Sequence, residues 1–170
     1  MDLLTNNPGA LRMLMTEELF LVKEEPVIYK PDIEPTQLAQ ADNQADFIYL
    51  GDNNKYFLIV VNDEKHIHLN KEYLDMLLKI IQAKGLELRD VAILNLNQYP
   101  GTLFKDLKDF FVPAKVVLFG IDPKITGLPA MSSNEIQHAD QVKILATYHF
   151  EEMKSDVNKK REFWHVFKSI

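Results

Sequence analysis

The chain of 170 residues contains no cysteine. That absence excludes disulfides, thiolate nucleophiles and cysteine-ligated zinc or iron–sulfur centres, and it fits a reducing compartment. Long apolar runs are also missing. None approaches the roughly 18 residues that read as a membrane span, and MDLLTNNPGA has neither the basic start nor the apolar stretch of a secretory signal. The expectation is a cytoplasmic protein without membrane association. An excess of basic residues is lacking as well: the formal net charge is -6 and the pI is about 5.4. Non-specific nucleic-acid affinity comes mainly from clustered Lys and Arg, so direct nucleic-acid binding is expected to be weak or absent. There is no Gly-rich phosphate loop, no internal repeat and no low-complexity tract.

What is present is the composition of an ordinary globular domain, 46% hydrophobic and 26% charged. The length suits a single domain over residues 1–170. Leu11, Leu14, Met15, Leu19 and Val22 recur near a 3.6-residue period and predict an N-terminal helix. Pro26, Pro31 and Pro35 punctuate a polar, acidic stretch, which predicts a long surface excursion over 24–45 with a brief extended piece at 27–29. Near the other end, Lys154, Lys159, Lys160 and Arg161 form the densest basic run. Glu151, Glu152, Asp156 and Glu162 are interleaved with it, as on a solvated helix surface.

Between these lies the body of the fold. Residues 47–50 and 56–61 flank Gly51-Asp52-Asn53-Asn54 and predict an antiparallel β-hairpin with a tight turn. The run Tyr56 to Val61 has six apolar residues without alternation, as a strand covered on both faces requires. Asn70 is placed to cap a helix whose stripe is Tyr73, Leu74, Leu77, Ile80 and Ile81, ending at Lys84-Gly85. A strand at 91–94 follows, then a short helix with Thr102 as its cap and Leu103, Phe104, Leu107, Phe110 and Phe111 on it, then a strand at 116–119. Residues 120–141 read as mostly loop, 142–146 as a last strand, and Asp156 as the cap of a final helix bearing Phe163, Trp164, Phe167 and Ile170. Alternating strands and helices imply an α/β fold of three-layer α/β/α type, with right-handed crossovers and a short, mostly parallel central sheet.

Ligands of such sheets bind beyond the carboxyl ends of the strands. The loops there carry Asn62, Asp63, His66 and His68; then Asn95, Asn97 and Tyr99; then Asp122; then Tyr148 and His149. Carboxylates and imidazoles on one rim are the raw material of acid–base catalysis, with Asn62, Asp63 and His149 the catalytic candidates and the others candidates for lining a ligand. Each has a structural alternative: Asp after a strand caps helices and turns, and His149 suits a hydrogen-bonded turn. His66-x-His68 lacks a third ligand at a diagnostic spacing, so no metal and no cofactor is expected. Ser132-Ser133 has no nucleophile-elbow pattern.

The C-terminal third, KVVLFGIDPKITGLP followed by VKILATYHFEEMKSDVNKKREFWHVFKSI, resembles the closing half of the uracil-DNA glycosylase superfamily. In that superfamily a strand ending in Gly precedes a strand leading to a histidine motif and a helix with basic residues. The resemblance implies that Tyr148-His149 stands where the glycosylases contact the flipped nucleotide, and Asn62 or Asp63 where they position water. The proline after the histidine is replaced by Phe150, and VVNDEKHIH has neither glycine nor proline, although a site that admits a base closely needs glycine's backbone freedom. Over roughly residues 11 to 170 the layout is also similar to that of a non-catalytic family of this fold, the psi subunits of the bacterial DNA polymerase III clamp-loader complex. The matching pieces are LRMLMTEELFLVK, FLIVVND, VAILNLN, FGIDP and the last helix with Trp164. Two departures from the psi pattern are visible: Met1 to Ala10 hardly represents that family's partner-binding N-terminal peptide, and 24–54 is longer than its loop.

The resemblance implies a non-catalytic interaction subunit of DNA replication or repair with a protein partner. The alternatives are a divergent base-excision enzyme, in which Asp63 or Asn62 positions water and His149 stabilises the leaving base, and a nucleotide or small-ligand binding domain using the same rim.

Overall fold

The computed structural model describes residues 46–170, which fall within one compact unit of the chain, Asp42–Ile170. The expected N-terminal helix and the 24–45 excursion lie outside the described residues. The architecture is α/β: one mixed six-stranded sheet with four α-helices among the described residues. Strands β1 (Tyr49–Leu50), β2 (Phe57–Val61), β3 (Val91–Asn95), β4 (Lys115–Phe119), β5 (Glu135–Ala139) and β6 (Val142–Thr147) lie in the order β1-β3-β2-β4-β6-β5. The pairs β2–β3, β2–β4 and β4–β6 are parallel, whereas β1 on β3 and β5 on β6 are antiparallel. Every residue of β2 and β3 is buried, which accounts for their unbroken apolar sequences.

Alternate residues of these strands supply two separate cores. Ile59, Ile93, Val117, Phe119 and Leu145 pack with helices α1 (Lys71–Ala83), α3 (Phe150–Ser155) and α4 (Val157–Phe167) through Leu77, Ile81, Phe150, Met153, Phe163 and Phe167. Leu58, Val60, Leu94, Val116, Leu118 and Ile144 pack with helix α2 (Phe104–Phe111) through Phe104, Leu107 and Phe111. Leu77, Ile81, Phe163 and Phe167 are wholly or almost wholly buried, each stabilising the fold by about 1.5–3 kcal/mol.

Two helices start as the sequence indicates. The Asn70 side chain accepts from the Glu72 N–H at 2.9 Å, and Asp156 accepts from the Asn158 N–H at 2.8 Å. Thr102 does not cap α2: its hydroxyl donates to the Tyr99 carbonyl at 2.9 Å, and Leu103 takes the cap position, with its N–H held by the Asp106 carboxylate at 2.9 Å. Thr102 is satisfied by closing the preceding turn, a local bond that competes with capping.

The expected hairpin is not formed. β1 pairs with β3, and β2 takes parallel partners on both edges, which leaves it no edge for β1. Residues 51–56 instead wrap the entry to β3: the N–H groups of Asn53, Asn54 and Lys55 donate to the carbonyls of Val91, Arg89 and Asp90 at 3.0–3.1 Å. The 120–141 stretch is also more regular than expected. It holds a short 3-10 turn, Pro123–Thr126, and the edge strand β5, whose sequence EIQHA is only half-buried and too polar to signal a strand. Helix α3 was not anticipated either, since six residues are too few to display a period.

Gly51 has φ +93°, and a Cβ there would lie 2.2 Å from the Val91 carbonyl oxygen and 2.4 Å from that of Leu88. Both obstacles are backbone of the β3 entry. Gly51→Ala is therefore expected to destabilise the fold by about 2 kcal/mol or more, read as a lowered urea midpoint with an unchanged slope.

Candidate functional site

Four loops leave the carboxyl ends of the parallel strands, and Gly120 stands at their centre. Its φ of +64° brings the end of β4 so close to His149 that an added Cβ would meet the His149 Cβ and Cδ2 at 2.8 Å. On one side of Gly120 a cavity of about 300 Å³ is lined by Asn62, Asn97, Tyr99, Thr102 and Ile121 among others. On the other side, Asp122, Lys124, Thr147, Tyr148 and Glu152 are among the residues lining a cavity of about 480 Å³. The structure thus brings Asn62, Asn97 and Tyr99 together in one place and Asp122 and Tyr148 in another. Asp63, Asn95 and His149 line neither cavity.

Asn95 is fully buried at the end of β3. Its amide oxygen accepts from the N–H groups of Asp63 (3.0 Å) and Asn97 (3.2 Å), and its amide nitrogen donates to the carbonyls of Asp63 (2.8 Å) and His66 (2.7 Å). Both ends of the amide are occupied by backbone, so the residue organises the loop after β2 rather than facing a ligand.

Asp63 is committed in the same way. One carboxylate oxygen accepts from the N–H groups of Lys65 (2.9 Å) and His66 (3.2 Å), the other from the Asn70 N–H (2.8 Å), and the His66 Nδ1 lies 3.0 Å from each. Burial works to raise the pKa of this carboxyl, but the bonds from Lys65, His66 and Asn70, with the charge of His66, outweigh it and hold the value below the aspartate norm. A carboxylate with four donors has no lone pair left with which to orient water.

His149 caps α3. Its Nδ1 accepts from the Glu151 N–H at 3.2 Å, which puts the ring proton of the neutral form on Nε2, while the Glu152 carboxylate returns to the His149 N–H at 3.5 Å. The ring meets Tyr73 edge-on, with centroids 5.8 Å apart. Tyr73 donates a hydrogen bond to Glu151, and that bond, with burial and the charges of nearby carboxylates, pushes its pKa up to about 12. Tyr148 donates to Glu162 at 3.1 Å and carries the Lys159 ammonium over its ring at 4.7 Å; burial and Glu162 raise its pKa too.

The remaining candidates divide similarly. Asp122 caps the 3-10 turn, accepting from the Lys124 N–H at 3.0 Å. The Tyr99 hydroxyl accepts from the Ile48 N–H at 2.6 Å, and its ring packs edge-on against Phe47. Asn62 is exposed on its cavity. His66 is spent on Asp63, and the buried Nδ1 of His68 has no partner among the described residues. No group of three or more His, Asp or Glu able to hold a metal occurs among the described residues. Sequence reasoning missed Tyr73 and Glu151 on the histidine side, because their contact bridges 78 positions, and it missed the closeness of Gly120 to His149. A glycine directly after an apolar strand was the one visible signal for the latter.

No protein-family model and no curated protein matches this chain.

The depressed pKa of Asp63 makes an acid-side prediction. Its contribution to stability is present above the ordinary aspartate value of 3.8 and is lost as the pH falls through the lower folded value. Asp63→Asn is expected to be less stable than the native chain by about 1–2 kcal/mol at pH 7, with the gap closing below about pH 4. Urea midpoints measured from pH 7 to pH 2 check this.

Proposed function

We propose that the chain is a non-catalytic interaction subunit, similar in layout to the psi subunits of the bacterial DNA polymerase III clamp-loader complex, which serves DNA replication or repair by binding a protein partner. The same reading takes the fold as a three-layer α/β/α arrangement of uracil-DNA glycosylase-like type around a short, mostly parallel central sheet. The observation that carries it is the saturation of Asp63 by Lys65, His66 and Asn70. A hydrolytic glycosylase needs a group at this place with a free lone pair for water, and here the group is consumed in closing its own loop. His149 supports the reading from the other side of Gly120. Its acceptor nitrogen holds the first turn of α3, so releasing it toward a base would uncap the helix.

One observation favours a second reading, a small-ligand binding domain. The 300 Å³ cavity lies where the loops after β2, β3 and β4 meet, and it combines apolar walls with the Asn62 and Asn97 side chains, as ligand pockets do. A melting-temperature screen against nucleosides and nucleotides separates the two, since a ligand of the folded state raises the midpoint by mass action.

The principal test is a base-release assay on uracil-containing single-stranded DNA, paired with proximity labelling in cells of the source organism. The expected outcome is no base release, with replication or repair proteins enriched among the labelled neighbours. Base release by the native chain that disappears in both Asp63→Ala and His149→Ala would assign the enzyme reading instead, and labelling without any replication or repair protein would remove the proposed setting.

A further inference from the structure

Half of the basic run visible in the sequence is paired in the fold: Lys154 with Glu72, and Lys159 with Glu152. A different set of cations gathers at the opposite end of the sheet from the candidate site. Lys115 on β4 is the register partner of Lys143 on β6, and Lys143 is the register partner of His138 on β5. Register partners share a face, so the three form one row. With strands about 4.8 Å apart the row spans about 10 Å. It continues the core face that carries α1 and α4, since Phe57 pairs with Lys115 and Leu145 lies two residues beyond Lys143.

Two further lysines follow the helices packed over this face, Lys84 after α1 and Lys168 after α4. Lys84 donates to the carbonyls of Phe167 (2.6 Å) and Lys168 (3.2 Å), while Lys115 donates to the backbone oxygen of Ile170 (3.0 Å). Burial, with the charges of Lys115 and Lys143, holds Lys84 below the ordinary lysine value. None of Lys84, Lys143 and Lys168 forms an ion pair with an Asp or Glu side chain among the described residues. Like charges directly opposite one another on neighbouring strands weaken a sheet, so the Lys115–Lys143 opposition is a cost, which the bond from Lys115 to Ile170 accounts for on one side only.

We propose that the row Lys115–Lys143–His138, with Lys84 and Lys168 beside it, binds the phosphodiester backbone of a nucleic acid. The inference stands independently of the proposed interaction role. Lysine ammoniums are compact point charges suited to phosphate. The acidity of the whole chain does not oppose the assignment, because most of the acidic excess lies before residue 46 and the rest of the chain is close to neutral. An acidic protein segment is the lesser fit. Stable protein docking needs an apolar anchor beside the charge, and the row faces away from the apolar cavity lined by Tyr56, Val112, Pro113 and Val142 on the α2 side of the sheet.

The test is fluorescence anisotropy of the full chain with a labelled oligothymidylate of about 20 nucleotides and a duplex of equal length, in salt from about 50 to 200 mM. Expected is binding of one or both, weakening with salt at a log–log slope of about -2 to -3, as for three or four phosphates on a single strand. The Lys143→Gln/Lys168→Gln double variant is expected to bind roughly tenfold more weakly with a shallower slope, and Lys160→Gln within about twofold of native. The arm that binds tighter identifies a single strand or a duplex as the source of the phosphates. Lys143→Gln removes the opposed charge, so its melting temperature is expected to hold or to rise by about 1–4 °C; Lys168→Gln alone, at a helix end, is a second folded comparison. No binding at low salt, equal affinity of the double variant and the native chain, or tighter binding of a labelled oligoglutamate of the same charge would each overturn the proposal.

Discussion

The wholly buried amide of Asn95 closes the end of β3, and the loops at the carboxyl edge of the sheet take their shape from its four hydrogen bonds. Two of them grip Asp63 by its own N–H and carbonyl. The Asp63 carboxylate, so placed, accepts from the N–H of Asn70, and Asn70 in turn caps α1. A single amide thus ties the end of β3 to the start of the helix that covers Ile59 and Ile93. The energetics are asymmetric. Each bond contributes only about 1 kcal/mol net, but each backbone group left buried and unpaired would cost about 1–3 kcal/mol. The constraint is therefore enforced more by what its loss would expose than by what its presence gains.

That economy explains why the polar residues at this edge make poor catalysts. Asp63, Asn95, Asp122 and His149 are the residue types an active site uses, and each has an acceptor atom bound to backbone N–H groups of the loops at this edge. They hold the loops in place at an edge where helices and turns begin, and donors there would otherwise be orphaned. Gly120 belongs to the same economy, since its missing side chain is what lets the β4 end and the α3 cap touch. Asn62 and Asn97 line the smaller cavity, and Tyr148 lines the larger one beside the charged Asp122, Lys124 and Glu152.

How much of this was legible in the sequence follows from the range of each interaction. Residues 56–61, 91–94 and 116–119 announce strands because burial on both faces demands unbroken apolar residues, 142–146 reads as a strand although Lys143 interrupts it, and Asn70 and Asp156 announce helix starts because capping acts within three residues. Long-range pairing is not written locally. Nothing in FIYL or the Gly-Asp-Asn-Asn turn says that β1 will seek β3, because that outcome depends on β2 having both edges occupied by strands far away in the chain. β5 was hidden for the opposite reason: an edge strand half in water can be as polar as EIQHA. At the candidate site the residue types were legible, but their engagement was not, because the bonds that occupy Asp63 and His149 are set by how the loops turn back on themselves.

The two ends of the sheet differ in whether their charges are spent. At the carboxyl ends nearly every charged or hydrogen-bonding group among the candidates answers to another group of the same chain. At the amino ends, Lys115 and Lys143 stand side by side on neighbouring strands, Lys143 without an ion pair among the described residues, and the charge of Lys84 lies close enough to feel both. Selection for stability alone would replace one of such a pair, since glutamine keeps the length and removes the repulsion. Helix capping justifies Lys84 and Lys115, whose ammoniums reach the last backbone oxygens of α4 and its extension. It does not justify Lys143, which touches none of them. A cation that has no ion pair among the described residues and that opposes the charge beside it is accounted for by a negatively charged group from outside the fold, and the place to look for such a group is therefore the end of the sheet opposite the candidate site.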